Sequence, residues 1–135
     1  MELNEYQKKA MSTCMASCDN FSYMFINLVG EVGEFASKVG KQIRKKHYSI
    51  GETDTSECND LGIDADYAAA NTEEATKVHE ELKKEAGDVL WQLSGLCKVM
   101  GWTLEEVAQM NLDKLAARKA IGTIDGSGDG IERGK

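Results

Sequence analysis

Two segments of the chain place paired carboxylates where helical apolar residues surround them. Phe25-Ile26-Asn27-Leu28-Val29-Gly30-Glu31-Val32-Gly33-Glu34-Phe35-Ala36 carries Glu31 and Glu34, and Glu85-Ala86-Gly87-Asp88-Val89-Leu90-Trp91 carries Glu85 and Asp88. A spacing of three puts both members of a pair on one helical face, about 60° apart around the axis. An inward carboxylate is costly unless positive charge meets it. Two such pairs facing each other across a bundle would repel strongly in a low dielectric. The fold must therefore bring two helices together and supply cations between them. Four carboxylates make an oxygen-only, strongly negative pocket that suits Mg²⁺, with Mn²⁺ as a substitute. Glu31, Glu34, Glu85 and Asp88 are the candidate ligands. Read instead as surface charges with salt-bridge partners, they would leave their apolar setting unexplained. Gly30, Gly33 and Gly87 each flank a carboxylate, at about 1 kcal/mol of helix propensity apiece relative to Ala. Room for close helix approach or for a bulky ligand is the expected return.

The remainder of the chain also favours helix. It contains no Pro and has long stretches of Ala, Leu, Glu, Lys and Met, all compatible with helix. Asn4-Glu5-Tyr6-Gln7 reads as a capping pattern, opening a helix that runs to about Ser17. A second helix is expected from about Ser22 to Lys46, with Phe25, Ile26, Val29, Val32, Phe35, Ala36, Val39 and Ile43 at helical spacing. Asn71-Thr72-Glu73-Glu74 opens a third, which reaches Met100 and stops at Gly101. Thr103-Leu104-Glu105-Glu106 is a further capping box, and its helix ends near Ala120, before Gly122. Residues 48–70 form an acidic, weakly periodic insert in which Ala68-Ala69-Ala70 hints at a helical turn. The Gly-rich tail 122–135 reads as loop. The expectation is one all-α domain over residues 1–135, an antiparallel four-helix-type bundle.

Other residues extend the acidic constellation. Lys38 lies four residues beyond Glu34, on the same face, and is a candidate contact for a metal-bound phosphate; a solvated Lys or a salt bridge is the alternative. Asn111, Lys114 and Arg118 follow i, i+3, i+7 spacing on the fourth helix, aiming an amide and two cations at phosphate or sugar oxygens. A di-iron bundle would want Glu-x-x-His on paired helices, whereas His47 and His79 lie elsewhere. Cys14 and Cys18 read as buried thiols rather than metal ligands. Tyr6, Phe21, Tyr23, Phe35, Trp91 and Trp102 read as core rather than base-stacking groups. Gln92, one turn beyond Asp88, is a further polar candidate on the third helix.

Composition narrows the partners. Sixteen basic and 23 acidic side chains give a formal charge of −7, which argues against broad contact with a nucleic acid polymer or an anionic membrane. Ten acids against one Lys fall within residues 51–81, so the rest of the chain is free to hold a small anion. No run approaches the roughly 20 apolar residues of a membrane span, and no basic-then-apolar leader is evident. A cytoplasmic setting with reduced thiols is expected.

Taken together, these residues resemble the MazG-like family of all-α nucleoside triphosphate pyrophosphohydrolases. The resemblance covers nearly the whole chain. It rests on Leu3-Asn4-Glu5-Tyr6-Gln7, on Gly30-Glu31-Val32-Gly33-Glu34, and on Glu85-Ala86-Gly87-Asp88-Val89-Leu90-Trp91. It continues through Gly101-Trp102-Thr103-Leu104-Glu105-Glu106-Val107, Asn111-Leu112-Asp113-Lys114-Leu115-Ala116-Ala117-Arg118 and the segment from Gly122 to Asp129. The resemblance implies that Glu31, Glu34, Glu85 and Asp88 ligate Mg²⁺, and that Asn111, Lys114 and Arg118 contact the nucleotide. It also implies conversion of an NTP or dNTP to monophosphate and pyrophosphate, and assembly as a dimer or dimer of dimers. Water acidified by the ions would attack the α-phosphorus, with Glu34 as the candidate to orient or deprotonate it. Some members carry a further Glu immediately before the ExxE; Gly30 stands there, so a base assigned to that Glu does not carry over. The acidic insert is longer than compact members need. The alternative reading is a catalytically silent helical oligomer that binds nucleotide or a protein partner around a structural metal.

Overall fold

A computed structural model describes residues 1–50, 61–63 and 69–124. Four helices follow in order: α1 (Leu3–Met11), α2 (Phe21–Arg44), α3 (Thr72–Val99) and α4 (Leu104–Ala120), with a 3-10 turn at Ala16–Cys18 after α1. The all-α bundle is as expected, and α2 packs along α3 as its principal pair. A short ribbon was not anticipated. Within the expected insert, β1 (Tyr48–Ile50) pairs antiparallel with β2 (Leu61–Ile63), Ser49 opposite Gly62. Its Tyr48, Ile50 and Ile63 are good strand formers in a stretch too short for helical periodicity to register. Ala69 and Ala70 are helical; the rest of the insert and residues 125–135 of the tail lie outside the described residues.

The helix ends follow local chemistry. Asn20 caps α2 by accepting the Tyr23 N–H at 2.9 Å. Thr103 and Glu106 form a reciprocal capping box on α4. At the other ends, α3 and α4 stop as read, with Gly101 and Gly122 at positive φ. Each is followed by a backbone bond reaching back over the last turn: Trp102 N to Cys97 O at 2.8 Å, and Thr123 N to Arg118 O at 2.9 Å. The end of α2 is built the same way around Lys46 (φ 60°), with His47 N donating to Gln42 O at 2.9 Å. A side chain in that conformation costs about 1–2 kcal/mol.

One boundary departs from expectation. Helix α1 ends at Met11 rather than near Ser17. The Ser12 and Thr13 hydroxyls donate back to Lys9 O and Ala10 O, at 2.6 and 2.7 Å, offering the backbone an alternative to further helix. Asn4 and Gln7 do not cap their own helix either. Gln7 is buried and accepts from the Leu104 N–H at 3.1 Å, while Asn4 accepts from the Glu105 N–H at 3.2 Å. They satisfy the free donors at the start of α4. The Gln7 amide also donates to Ser94 O and Trp102 O, at 3.2 and 3.1 Å, so one side chain ties α1, α3 and α4 together.

The core centres on fully buried Met24, Ser94 and Cys97. Met24 of α2 lies on Gly95 of α3, where an added Cβ would fall inside the van der Waals envelope of the Met24 sulfur. Close helix approach therefore occurs at Gly95. At Gly30, Gly33 and Gly87 a Cβ would meet nothing, so these glycines do not serve close packing within one chain. Much of the α2 apolar row is also uncovered: Phe25, Ile26, Val29 and Val32 are half or more exposed.

Candidate metal and nucleotide site

The α2–α3 pairing sets the site. With the helices antiparallel and Met24 against Gly95, the same register carries Glu31 and Glu34 opposite Glu85 and Asp88. One carboxylate oxygen from each of Glu31, Glu34 and Glu85 lies within 4.8 Å of the others. The six oxygens around a Mg²⁺ at about 2.1 Å stand roughly 3–4 Å apart, so small rotamer changes would close this set on an ion. The donors are all hard oxygens, and the carboxylates outnumber the local cations. The residues present fit a divalent ion.

The four acids are not equally placed. Glu85 is the most enclosed, its side chain only 12% exposed. Glu31 is half-buried, whereas Glu34 and Asp88 are exposed in the single chain. Burial pushes the Glu31 carboxyl above its usual range, and the negative charges of Asp88, Glu34 and Glu85 push it further. Asp88 stands outside the closest trio yet near enough to act on Glu31 and on Tyr6, whose phenol is raised by burial and then by Asp88. Tyr6, partly buried as its core reading expects, thus also stands within electrostatic reach of Asp88.

Lys38 lies at the other end of the row and pairs with Glu85. This contact raises the Lys38 ammonium above its ordinary range. In the structure Lys38 is the counter-ion of the acidic cluster.

The α4 stripe is placed elsewhere. Helix α4 packs mainly on α1, and its chief anchor in the core is Leu104. Asn111 and Lys114 line an open cleft of about 480 Å³ whose walls include none of the four carboxylates. Arg118 is half-buried further along the helix. The structure therefore unites Glu31, Glu34 and Glu85, sets Asp88 and Lys38 beside them, and leaves the stripe on a separate surface.

Among the aromatics, Trp91 is structural as expected, its indole N–H donating to Ala10 O and Thr13 Oγ1 at 3.1 and 3.0 Å. Phe21 and Trp102 are not core: they are 51% and 45% exposed. Phe21 stacks on Phe25 with ring centres 5.6 Å apart. Gln92 is buried, and its Oε1 has no hydrogen-bond partner among the described residues.

Comparison with known proteins places the chain in a family. Residues 20–121, from the cap of α2 to the end of α4, match the family model of the MazG nucleotide pyrophosphohydrolase domain. Over 136 aligned residues the chain is 35% identical to the "Gene 37 protein" of Mycobacterium phage L5, covering 96% of this chain and 98% of that protein. No solved structure matches it. With both carboxylate pairs and the α4 stripe inside the matched span, the chain belongs to the MazG nucleotide pyrophosphohydrolase family.

Proposed function

We propose that this protein hydrolyses a nucleoside triphosphate, ribo or deoxy, to the monophosphate and pyrophosphate. The observation that carries the reading is the convergence of Glu31, Glu34 and Glu85 oxygens within 4.8 Å, unfavourable for bare carboxylates and apt for a divalent cation. Glu31, Glu34, Glu85 and Asp88 would hold Mg²⁺, or Mn²⁺ in its place. When bound, the ion supplies Lewis acidity toward phosphate oxygens and lowers the pKa of water. Glu34, exposed at the rim, orients that water and accepts its proton as its oxygen attacks the α-phosphorus. The bond from the α-phosphorus to the bridging oxygen breaks, and its electron pair leaves with pyrophosphate. Lys38 exchanges Glu85 for the departing anion, and Asn111, Lys114 and Arg118 contact the nucleotide.

A second copy of the chain belongs to this reading. Phe21, Phe25, Ile26, Val29 and Val32 of α2, with Leu90 and Leu93 of α3, are each at least 37% exposed, a contiguous apolar surface of the kind monomers rarely show water. Packing against the same face of another copy covers it and offers a way to bring an α4 stripe to a carboxylate cluster. The site of action is the cytoplasm, where the substrates are dissolved. No helix among the described residues is long and apolar enough to cross a membrane.

The test is a panel of NTPs and dNTPs with Mg²⁺, the products resolved. Pyrophosphate is expected from at least one substrate, abolished in Glu34→Gln and Asp88→Asn with helicity retained. Release of single phosphate, or no turnover despite tight metal binding, would favour the silent binder.

A further inference from the structure

The cleft on α4 has an aromatic wall that no role has yet claimed. Trp102, Glu106, Val107, Met110, Asn111 and Lys114 line its 480 Å³ or so. The Trp102 backbone is pinned on both sides, its N–H donating to Cys97 O at 2.8 Å and its C=O accepting from Gln7 at 3.1 Å. On that fixed mount Trp102 is 45% exposed. Glu106 is engaged, one oxygen accepting from the Thr103 N–H and hydroxyl. The Asn111 and Lys114 side chains have no hydrogen bond or ion pair among the described residues. An aromatic face, an open amide and an open cation thus share one cleft.

We propose that this cleft is the nucleoside end of the substrate site, with the base stacked on the Trp102 indole. The Asn111 amide then bonds the sugar or the base edge, and Lys114 meets the phosphates. The inference rests on the pyrophosphohydrolase reading and adds to it the residue that grips the base. Charge complementarity favours a nucleotide over a second copy as the occupant. Covering Lys114 and Asn111 with protein would desolvate both, and the cores of protein interfaces are depleted of Lys. The Phe21–Val32 face of α2 has no such groups pointing into it and suits a second copy far better. A stacked base is also recognised by its π-face, which every base has, so the contact binds nucleosides as a class.

The experiment compares the parent, Trp102→Ala and Trp102→Phe on nucleoside triphosphates and on ribose 5-triphosphate, which lacks a base. Loss of one stacking contact is expected to raise KM for base-bearing substrates about tenfold. The change should fall on KM rather than kcat, spare the baseless substrate, and be largely reversed in Trp102→Phe. Equal effects on both substrate types, no effect at all, or dissociation of an oligomer by Trp102→Ala would overturn the proposal. Failure of the parent to release pyrophosphate would instead strike the pyrophosphohydrolase reading. Stacking is then read directly, by titrating α,β-methylene nucleoside triphosphates with Mg²⁺ against tryptophan emission. Saturable quenching that disappears in Trp102→Phe, with Trp91 as the remaining indole, supports the proposal, and its absence overturns it.

Discussion

Glu31 shows at one residue what the site requires of the fold. Its carboxyl is raised first by burial and then by Asp88, Glu34 and Glu85. Because its pKa lies above the unfolded value, the folded state holds the proton more tightly between the two. Stability is then lost as pH rises through that window, and the full penalty stands above it. A divalent cation removes that penalty. At pH 8 without metal, Glu31→Gln should therefore melt about 2–4 °C above the parent. In thermal unfolding the parent should gain stability with Mg²⁺ and the variant little, since only a ligand that binds the native state stabilises it. A lower melting point for the metal-free variant would contradict this account of Glu31. The meeting of Glu31, Glu34 and Glu85 was legible in the sequence because its signal is local, two carboxylates at helical spacing among apolar neighbours. The Lys38–Glu85 pair was open from sequence alone, since a Lys on the right face serves a phosphate and a carboxylate equally well. Trp102 was misread as core because an aromatic near a helix start carries no mark of whether a neighbour covers it.

At the scale of elements, the short α1 is a connector. Its nine residues are too few for a stable isolated helix, so it is held by what it touches. Trp91 bonds its carboxyl end, and Gln7 bonds Ser94, Trp102 and Leu104. Gln7→Leu keeps comparable bulk but leaves the Trp102 carbonyl and the helix-terminal Leu104 N–H without their partner, and removes a second acceptor bond at Ser94 O. The variant should lose about 2–3 kcal/mol in urea denaturation; a loss below roughly 0.5 kcal/mol would show that water replaces the side chain. The sequence pattern of Asn4 and Gln7 is that of a self-capping helix, and it was right about the chemistry and wrong about the partner. Caps on α2 and α4, and the stops at Gly101 and Gly122, were readable because each acts within a few residues of itself. The reach of Gln7 to Leu104 spans the whole bundle, and the seating of Met24 on Gly95 spans two helices. Neither leaves a periodic trace.

At the scale of the whole molecule, the described residues leave two surfaces unfinished, an apolar face on α2 and a polar cleft on α4, and the carboxylates lie apart from that cleft. An exposed apolar row on α2 cannot be told from a buried one by its spacing, which is why sequence showed the amphipathic helix and not its missing partner. Sedimentation equilibrium is expected to give at least a dimer. Val29→Lys should shift it to monomer, because Val29 is already 62% exposed in the single chain and a Lys there disturbs only what packs over it. Unchanged mass in that variant would place the interface elsewhere. The central claim remains that acids turned toward one another between α2 and α3 are a seat for a divalent ion. Mn²⁺ titration of the metal-free protein, followed by electron paramagnetic resonance, tests it most directly. Saturable binding by the parent, weakened roughly tenfold or more in Glu34→Gln and in Glu85→Gln, is the predicted result; Mn²⁺ binding that is absent in the parent, or indifferent to both substitutions, would contradict it.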